Sequence, residues 1–428
     1  MRVQLLNPAI FYYSGFHYRM LPTLSLPILT AVINDAGHYC EAVDLEALGV
    51  HPDQLYEKYK SQKDSWPDVI GITALTITAR GAEEAIKALR KAGFDRKIVV
   101  GGVHVTINPQ VGLDWGADLV VTGECEGNIV ELLESDATGI QHGKAMDIKD
   151  LPGADWTHHN PQPNTYVGNM SILRNNPGII MFSRGCPFKC IICGDLIFNH
   201  TKTKYRPPEN IEKEMIDLHK RGVQNVFVYD DELIGTHLPD GWMKDVADRI
   251  EPLGIKWVTQ GRCSKKHITK ETLLDAKRAG CRAVFWGVES FSQPVLNAMH
   301  KGITEDDIWH TLYLCKEVGI ESGIFTMIGN YKETEADLEY TCQQIKRCYD
   351  EDLIEYRQTT VCTTMPGTEL YDIQVKDGSY IAAPTTGTAM TEAHSPTPYL
   401  TIKQIEYWQQ RFYETGPLGV MGEPRPKR

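Results

Sequence analysis

The chain has no apolar run approaching the roughly 18 residues that cross a bilayer, so no membrane-spanning helix is expected. Its start, MRVQLLNPAIFYY, carries one basic residue, a polar break at Gln4, and Asn7-Pro8 where the apolar core of an export signal would continue. A cytoplasmic protein is the expectation. Positive charge is scarce: 44 Lys and Arg stand against 56 Asp and Glu, for a net charge of −12. That balance leaves no electrostatic footprint for nonspecific nucleic-acid binding. Eleven cysteines among 428 residues are too sparse for a disulfide framework, so metal or redox use of a few is the better expectation.

Three of those cysteines are concentrated. SRGCPFKCIICGD, residues 183–195, places Cys186, Cys190 and Cys193 in one loop flanked by Gly185 and Gly194. Such a loop turns three thiolates toward one centre. Closed structural zinc sites take four protein ligands, commonly in C-x2-C pairs, and no fourth is offered here. Iron–sulfur clusters are also held by thiolates. Three thiolates on a four-iron cluster leave one iron open, and an open iron can chelate a substrate or cofactor. Cys263, Cys281, Cys315, Cys342, Cys348 and Cys362 show no tight ligand spacing and are read as core, with no second cluster expected.

The length suggests two to three domains. Residues 1–140 alternate strand and helix. The strands are Arg2–Leu6, His38–Asp44, Val69–Leu75, Ile98–Val100 and Leu119–Thr122. The helices include Leu24–Ala36 and Ala82–Ala92, closed by Gly37 and Gly93. This α/β pattern predicts a Rossmann-like, doubly wound parallel sheet that binds its ligand outside the carboxyl ends of its strands. Those ends read GITALT, VVGGVHVT and VVTGECEG. Paired glycines allow close backbone approach, or simply make a turn. Taken alone, His104 reads first as a hydrogen-bonded loop residue, with a ligand contact as the alternative.

Residues 141–175, rich in Pro, Gly, Asn and His, read as a linker in which His158 and His159 are solvated. The alternation resumes over residues 176–385 with strands 178–183, 223–229, 255–258, 283–288, 323–328 and 356–362. Six strands at this spacing suit a partial (β/α)6 TIM-type barrel, with active groups at the strand ends. Arg262 lies beyond the third strand, and Glu289 with Ser290 ends the fourth. Tyr229, Asp230, Asp231 and Glu232 end the second, lining a substrate pocket or forming a solvated acidic turn. Residues 386–428 form a Thr-rich loop, a helix over 402–413 and a basic, Pro-rich end.

The cysteine motif after a first barrel strand resembles the signature of radical S-adenosylmethionine (SAM) enzymes. The segments YRPPENIEKEM, VFVYDDE, AGCRAVFWGVES, VLNAMHKGIT and TMPGTELYD follow in the order of the cobalamin-dependent subgroup. The first domain's strand ends resemble the cobalamin-binding domain that precedes such barrels. Together the resemblance covers about residues 1–375. It implies a 4Fe–4S cluster on Cys186, Cys190 and Cys193, with SAM chelating the open iron. It implies SAM contacts from Ile192, Arg262, Glu289, Ser290 and Gly329. It implies cobalamin contacts from Pro8, Thr73, Leu75, Gly101, Gly102, His104, Gly123 and Glu124.

Two departures matter. The D-x-H-x-x-G cobalt-ligand motif is absent, since His17 is followed by Tyr18, Arg19 and Met20, so no histidine from this loop is expected on cobalt. The fifth strand's usual Pro-Gly-Glu-Thr is replaced by GNYKET, which keeps Gly329, Glu333 and Thr334. The activity implied is a radical methyl transfer to an unactivated carbon, with methylcobalamin as donor and a flavodoxin- or ferredoxin-type electron donor. The substrate would be a small molecule or peptide. The alternatives are a non-methylating cyclisation or rearrangement in the same subgroup, and a non-catalytic cobalamin- or metal-binding sensor. A methylthiotransferase would need a cysteine triad upstream, where only Cys40 and Cys125 occur.

Overall fold

The seven strands of the first sheet run parallel in the order β6-β5-β4-β3-β1-β2-β7, so the chain reverses its direction of travel between β1 and β3. The structure is a computed structural model, and it describes residues 1–9, 21–166, 171–198, 200–382 and 392–415. The chain divides into two units that meet in sequence at residues 167 and 168.

In the first unit β1 is Arg2–Asn7, β2 Tyr39–Asp44, β3 Val69–Thr73, β4 Lys97–Gly101, β5 Leu119–Thr122, β6 Gly139–His142 and β7 His159–Asn160. Neighbouring residues face opposite ways, so each strand feeds two cores. Val69, Val99 and Leu119 pack with Leu26, Ile33 and Leu133 on one side. Ile70, Val100 and Val120 pack with Leu55, Ile86 and Leu89 on the other. That is why these strands read as continuous apolar runs, and why the sheet is doubly wound as expected.

Residues 141–166 differ from the linker expected. β6 continues the sheet past β5, and β7 pairs with the other edge at β2. Trp156 is fully buried, and His159, expected to be solvated, is buried with Nδ1 2.7 Å from the Pro161 carbonyl oxygen. Short strands and one large anchoring aromatic leave little periodicity for a sequence to display. The region of His17 lies outside the described residues.

In the second unit β8 is Pro177–Ile180, β9 Ser183–Arg184, β10 Lys204–Tyr205, β11 Asn225–Val228, β12 Lys256–Gly261, β13 Cys281–Glu289, β14 Glu321–Ile328 and β15 Tyr356–Val361. Six of them form one parallel sheet in chain order, β8-β11-β12-β13-β14-β15, the partial barrel the sequence predicts. The helices between them start where a threonine caps them. Thr269, Thr304 and Thr334 each accept a hydrogen bond from a first-turn N–H. The helix Ile402–Glu414 forms as expected and buries Ile405, Trp408 and Phe412. Residues 383–391 and 416–428, which include most of the Thr-rich loop and the basic end, lie outside the described residues. Cys263, Cys281, Cys315, Cys342 and Cys348 are buried, as a core role requires.

Candidate functional site

The first strand of the second unit ends sooner than its apolar run. After Ile180 the chain makes the two-residue strand β9, which pairs antiparallel with β10. This short hairpin is the neck of the cysteine loop. Arg206 ties it down, with its backbone N–H on Phe182 and Nη1 bonded to the Met181 carbonyl and to Glu214 at 2.6 Å. The acids after β11 hold the same neck. Asp230 accepts from Phe182 N at 2.8 Å and Ser183 Oγ at 2.6 Å, and Asp231 accepts from Gly185 N at 2.7 Å. Asp230 is buried, and burial pushes its carboxyl up to about 7. The oxygens of these two residues brace the loop just before Cys186. Tyr229, by contrast, is more than half exposed.

The far side of the loop is anchored twice at Ile191, which is buried. Its N–H donates to the Met299 carbonyl at 3.0 Å, and its carbonyl accepts from Leu370 N at 2.9 Å. Ile192 beside it stays half-buried and available. All three loop cysteines are free and half-buried. Burial pushes the Cys186 thiol up to about 12 and that of Cys193 to about 11, so a bound cation is what would make them thiolates. Among the described residues, the metal-type donors gathered within 4.8 Å of one another are those of Asp195, His200 and Asp231; the three thiols are not so gathered. One zinc ion would draw thiolates to about 3.8 Å apart at its 2.3 Å bond length. Wider spacing fits thiolates that each hold a different iron of a cluster.

Arg262 is buried beyond β12. Its guanidinium lies 3.6 Å from the centre of the Phe188 ring, Nη1 is 3.8 Å from Cys190 Sγ, and Nη2 is buried without a hydrogen-bond partner. A buried guanidinium with an unused N–H at the loop suits an arriving carboxylate. Glu232 accepts from Arg262 N at 3.1 Å, and burial raises its carboxyl to about 8. Glu289 closes β13 with φ +60° at a register shift against β14, and Lys301 Nζ lies 2.9 Å from its Oε1. Lys301 was not singled out from the sequence. Its one signal was membership of the VLNAMHKGIT segment.

Two expected SAM contacts are engaged elsewhere. Ser290 is fully buried, with its hydroxyl 3.0 Å from Thr341 Oγ1 and accepting from Ser292 N at 3.1 Å, so it stitches the strand end to the helix Glu335–Asp350. Gly329 N donates to Glu333 Oε2 at 2.7 Å. Glu333, buried, also accepts from Asn330 N and Asn330 Nδ2, each at 3.1 Å. Burial nevertheless raises its carboxyl to about 8. A carboxyl raised above its unfolded value stabilises fully below that value, and the stabilisation is lost as pH climbs through the folded one. Wild type should therefore lose about 1–3 kcal/mol relative to Glu333→Gln between about pH 5 and about pH 9, read by urea unfolding of both proteins.

In the first unit β5, β4, β3 and β1 are adjacent and parallel, so their carboxyl ends share one edge. Thr73, Leu75, Gly101, Gly102, His104, Gly123 and Glu124 all sit on it, half-buried except for the more exposed Leu75. The backbone there is cross-tied. Ala74 N donates to Gly101 O at 2.8 Å, His104 N to Ala74 O at 3.0 Å, and Gly123 N to Thr106 Oγ1 at 2.9 Å. A Cβ on Gly123 would meet nothing within 4 Å, so the β5 end is open. The His104 ring stacks on Trp115 at 5.8 Å and 3°. Pro8 is buried, and beneath it Asn7 bonds Asp44, which also accepts from Tyr166 at 2.7 Å. An open, glycine-paved strand edge with one exposed leucine fits a broad, partly apolar macrocycle.

Two domain families match the sequence in the order of the two units. The B12 binding domain matches residues 18–133, and the Radical SAM superfamily matches residues 180–345. The chain therefore carries a B12 binding domain followed by a radical SAM domain, and its cofactors are a 4Fe–4S cluster, SAM and cobalamin. It is 26% identical over 83% of its length to an uncharacterised methyltransferase of Pyrococcus horikoshii, covering 78% of that protein. It is 24% identical over 81% of its length to the bacteriochlorophyllide d C-8(2)-methyltransferase of Chlorobaculum tepidum, covering 75% of it. The anaerobic magnesium-protoporphyrin IX monomethyl ester cyclase of Rubrivivax gelatinosus matches 76% of the chain at 25% identity, with 62% of that protein covered. In fold, the chain is similar to the radical SAM methyltransferase TsrM of Kitasatospora setae, with a TM-score of 0.68 at 19% identity over 90% of this chain and 79% of that one.

Proposed function

We propose that this protein is a cobalamin-dependent radical SAM methyltransferase that methylates an unactivated carbon. The observation that carries the reading is a rigidly necked three-cysteine loop on a chain that also has a B12 binding domain. When bound, the cluster with SAM supplies a 5′-deoxyadenosyl radical, and cobalamin supplies a transferable methyl group.

The chain's residues hold and orient these groups. Cys186, Cys190 and Cys193 hold the cluster, each on its own iron. Arg262, with its unused Nη2, would hold the SAM carboxylate, Glu289 its amino group and Ile192 its adenine. Thr73, Leu75, Gly101, Gly102, His104, Gly123 and Glu124 seat the corrin. Tyr229, more than half exposed after β11, is a candidate for substrate contact. Electrons come from a flavodoxin- or ferredoxin-type donor. The relatives named as methyltransferases support methyl transfer. The cyclase relative favours a second reading, a ring closure with the same cofactors.

Anaerobic purification with cobalamin, followed by incubation with SAM, a low-potential reductant and a candidate substrate, separates the two. Methyl transfer yields S-adenosylhomocysteine and a product heavier by one CH2, labelled from methyl-labelled SAM. A product that is lighter or of equal mass, with no label, would leave the cyclase reading standing.

A further inference from the structure

The turn Met299–Gly302 touches three parts of the radical SAM site at once. Met299 O accepts the Ile191 N–H of the cysteine loop. Gly302, at φ +68°, leaves room beside Arg262, whose Nη2 would stand 3.2 Å from a Cβ there. Between them Lys301 reaches Glu289, with both side chains about seven-eighths buried. The turn is built for this. His300 takes φ +52°, and Lys301 N closes back on Leu296 O at 3.0 Å, which ends the helix Gln293–Ala298 and sends the lysine inward. Gly287 completes the fit: a Cβ on it would lie 2.9 Å from Lys301 Nζ and 3.1 Å from Glu289 Oε1.

The charge balance points the same way. Burial and the nearby Arg262 oppose the Lys301 charge, while the Glu289 carboxylate beside it supports it. A carboxylate at a strand end has two oxygens and a rotatable stem. With one oxygen pinned by Lys301, the other is fixed in direction. The ammonium also pairs the Glu289 carboxylate, so a zwitterionic ligand enters without facing a bare carboxylate.

We propose that Lys301 is a positioning residue for SAM, acting through Glu289 by fixing which carboxylate oxygen meets the SAM amino group. The proposal rests on the reading of Glu289 as a SAM contact. A cation paired on one side and a carboxylate presented on the other resembles the second hydrogen-bonding layer that orients ligands elsewhere in proteins. Because the pair is charged and mostly buried, its loss should be felt strongly at the ligand.

The test uses the full-length, reconstituted and reduced protein, with SAM itself as the probe and the SAM-induced change in the EPR spectrum of the reduced cluster as the readout. Lys301→Met should keep the wild-type iron content and weaken SAM binding about ten- to a hundredfold. In the Glu289→Gln background the same change should add less than about twofold, since its route of action is gone. Gly287→Ala keeps both charges but crowds the pair, and should weaken SAM similarly; it decides the matter if Lys301→Met fails to fold. Unchanged SAM affinity in Lys301→Met, or in Gly287→Ala when that variant decides, overturns the proposal. So does a double variant whose loss is the product of the two single losses. Wild-type protein that takes up iron but gives no EPR response to SAM overturns the functional reading, and this proposal with it.

Discussion

Cys186→Ala is expected to reduce bound iron after anaerobic reconstitution from about four per chain to below about one, and to abolish SAM cleavage. The loop offers three thiols and no fourth, so each holds a large share of the cluster's attachment. Two remaining cysteines, Cys190 and Cys193, have the spacing of half a zinc site and do not retain four irons. The loss should not be a folding defect. The bonds from Gly185 N to Asp231, from Phe182 N to Asp230, and from Ile191 to Met299 and Leu370 hold the loop without using the Cys186 thiol. Circular dichroism and cobalamin uptake should match wild type, while iron, sulfide and 5′-deoxyadenosine formation fall together. Full SAM cleavage by the variant would remove the cluster from these cysteines. An iron content in wild type clearly above four per chain would likewise contradict a single cluster.

Gly102→Ala is expected to weaken cobalamin binding tenfold or more while leaving the iron content unchanged. Gly102 has φ +109°, where a side chain is strained by about 1–3 kcal/mol. Its Cβ would also fall 2.7 Å from Ala74 O and 2.9 Å from Ala74 N, both backbone atoms that cannot swing aside. Relief requires the β3 and β4 ends to part, breaking the bonds from Ala74 N to Gly101 O and from His104 N to Ala74 O. Those are the ends on which the corrin is proposed to rest. Titration of the purified variant with hydroxocobalamin, read by visible absorbance, measures the effect. Wild-type affinity in Gly102→Ala would mean that the corrin does not use this edge.

Most of the fold was legible because it is repetitive. Buried parallel strands declare themselves as Val- and Ile-rich runs, and helices as periodic stretches bounded by Thr caps and Gly stops. Thr304 and Thr334 mark their helices in sequence and in structure alike. What escaped depends on distant partners. β7 is two residues long and exists through its pairing with β2, more than a hundred residues earlier. Asp230 and Asp231 looked like pocket or solvent residues because the backbone they hold lies more than forty positions away. Ser290 and Gly329 stand at the strand mouths as expected, yet neighbours already occupy their polar atoms. Lys301 was invisible for a different reason. A lysine after a helix reads as solvated unless one knows that His300 adopts a left-handed conformation and turns it inward.

The β9–β10 neck has a practical consequence for how the cluster is loaded. Its restraints come from backbone pairing, two aspartates and a buried Arg206–Glu214 ion pair, not from iron. A chain without its cluster is therefore expected to keep the seat in shape. Loading would then place inorganic parts in a standing frame, with no refolding of the polypeptide.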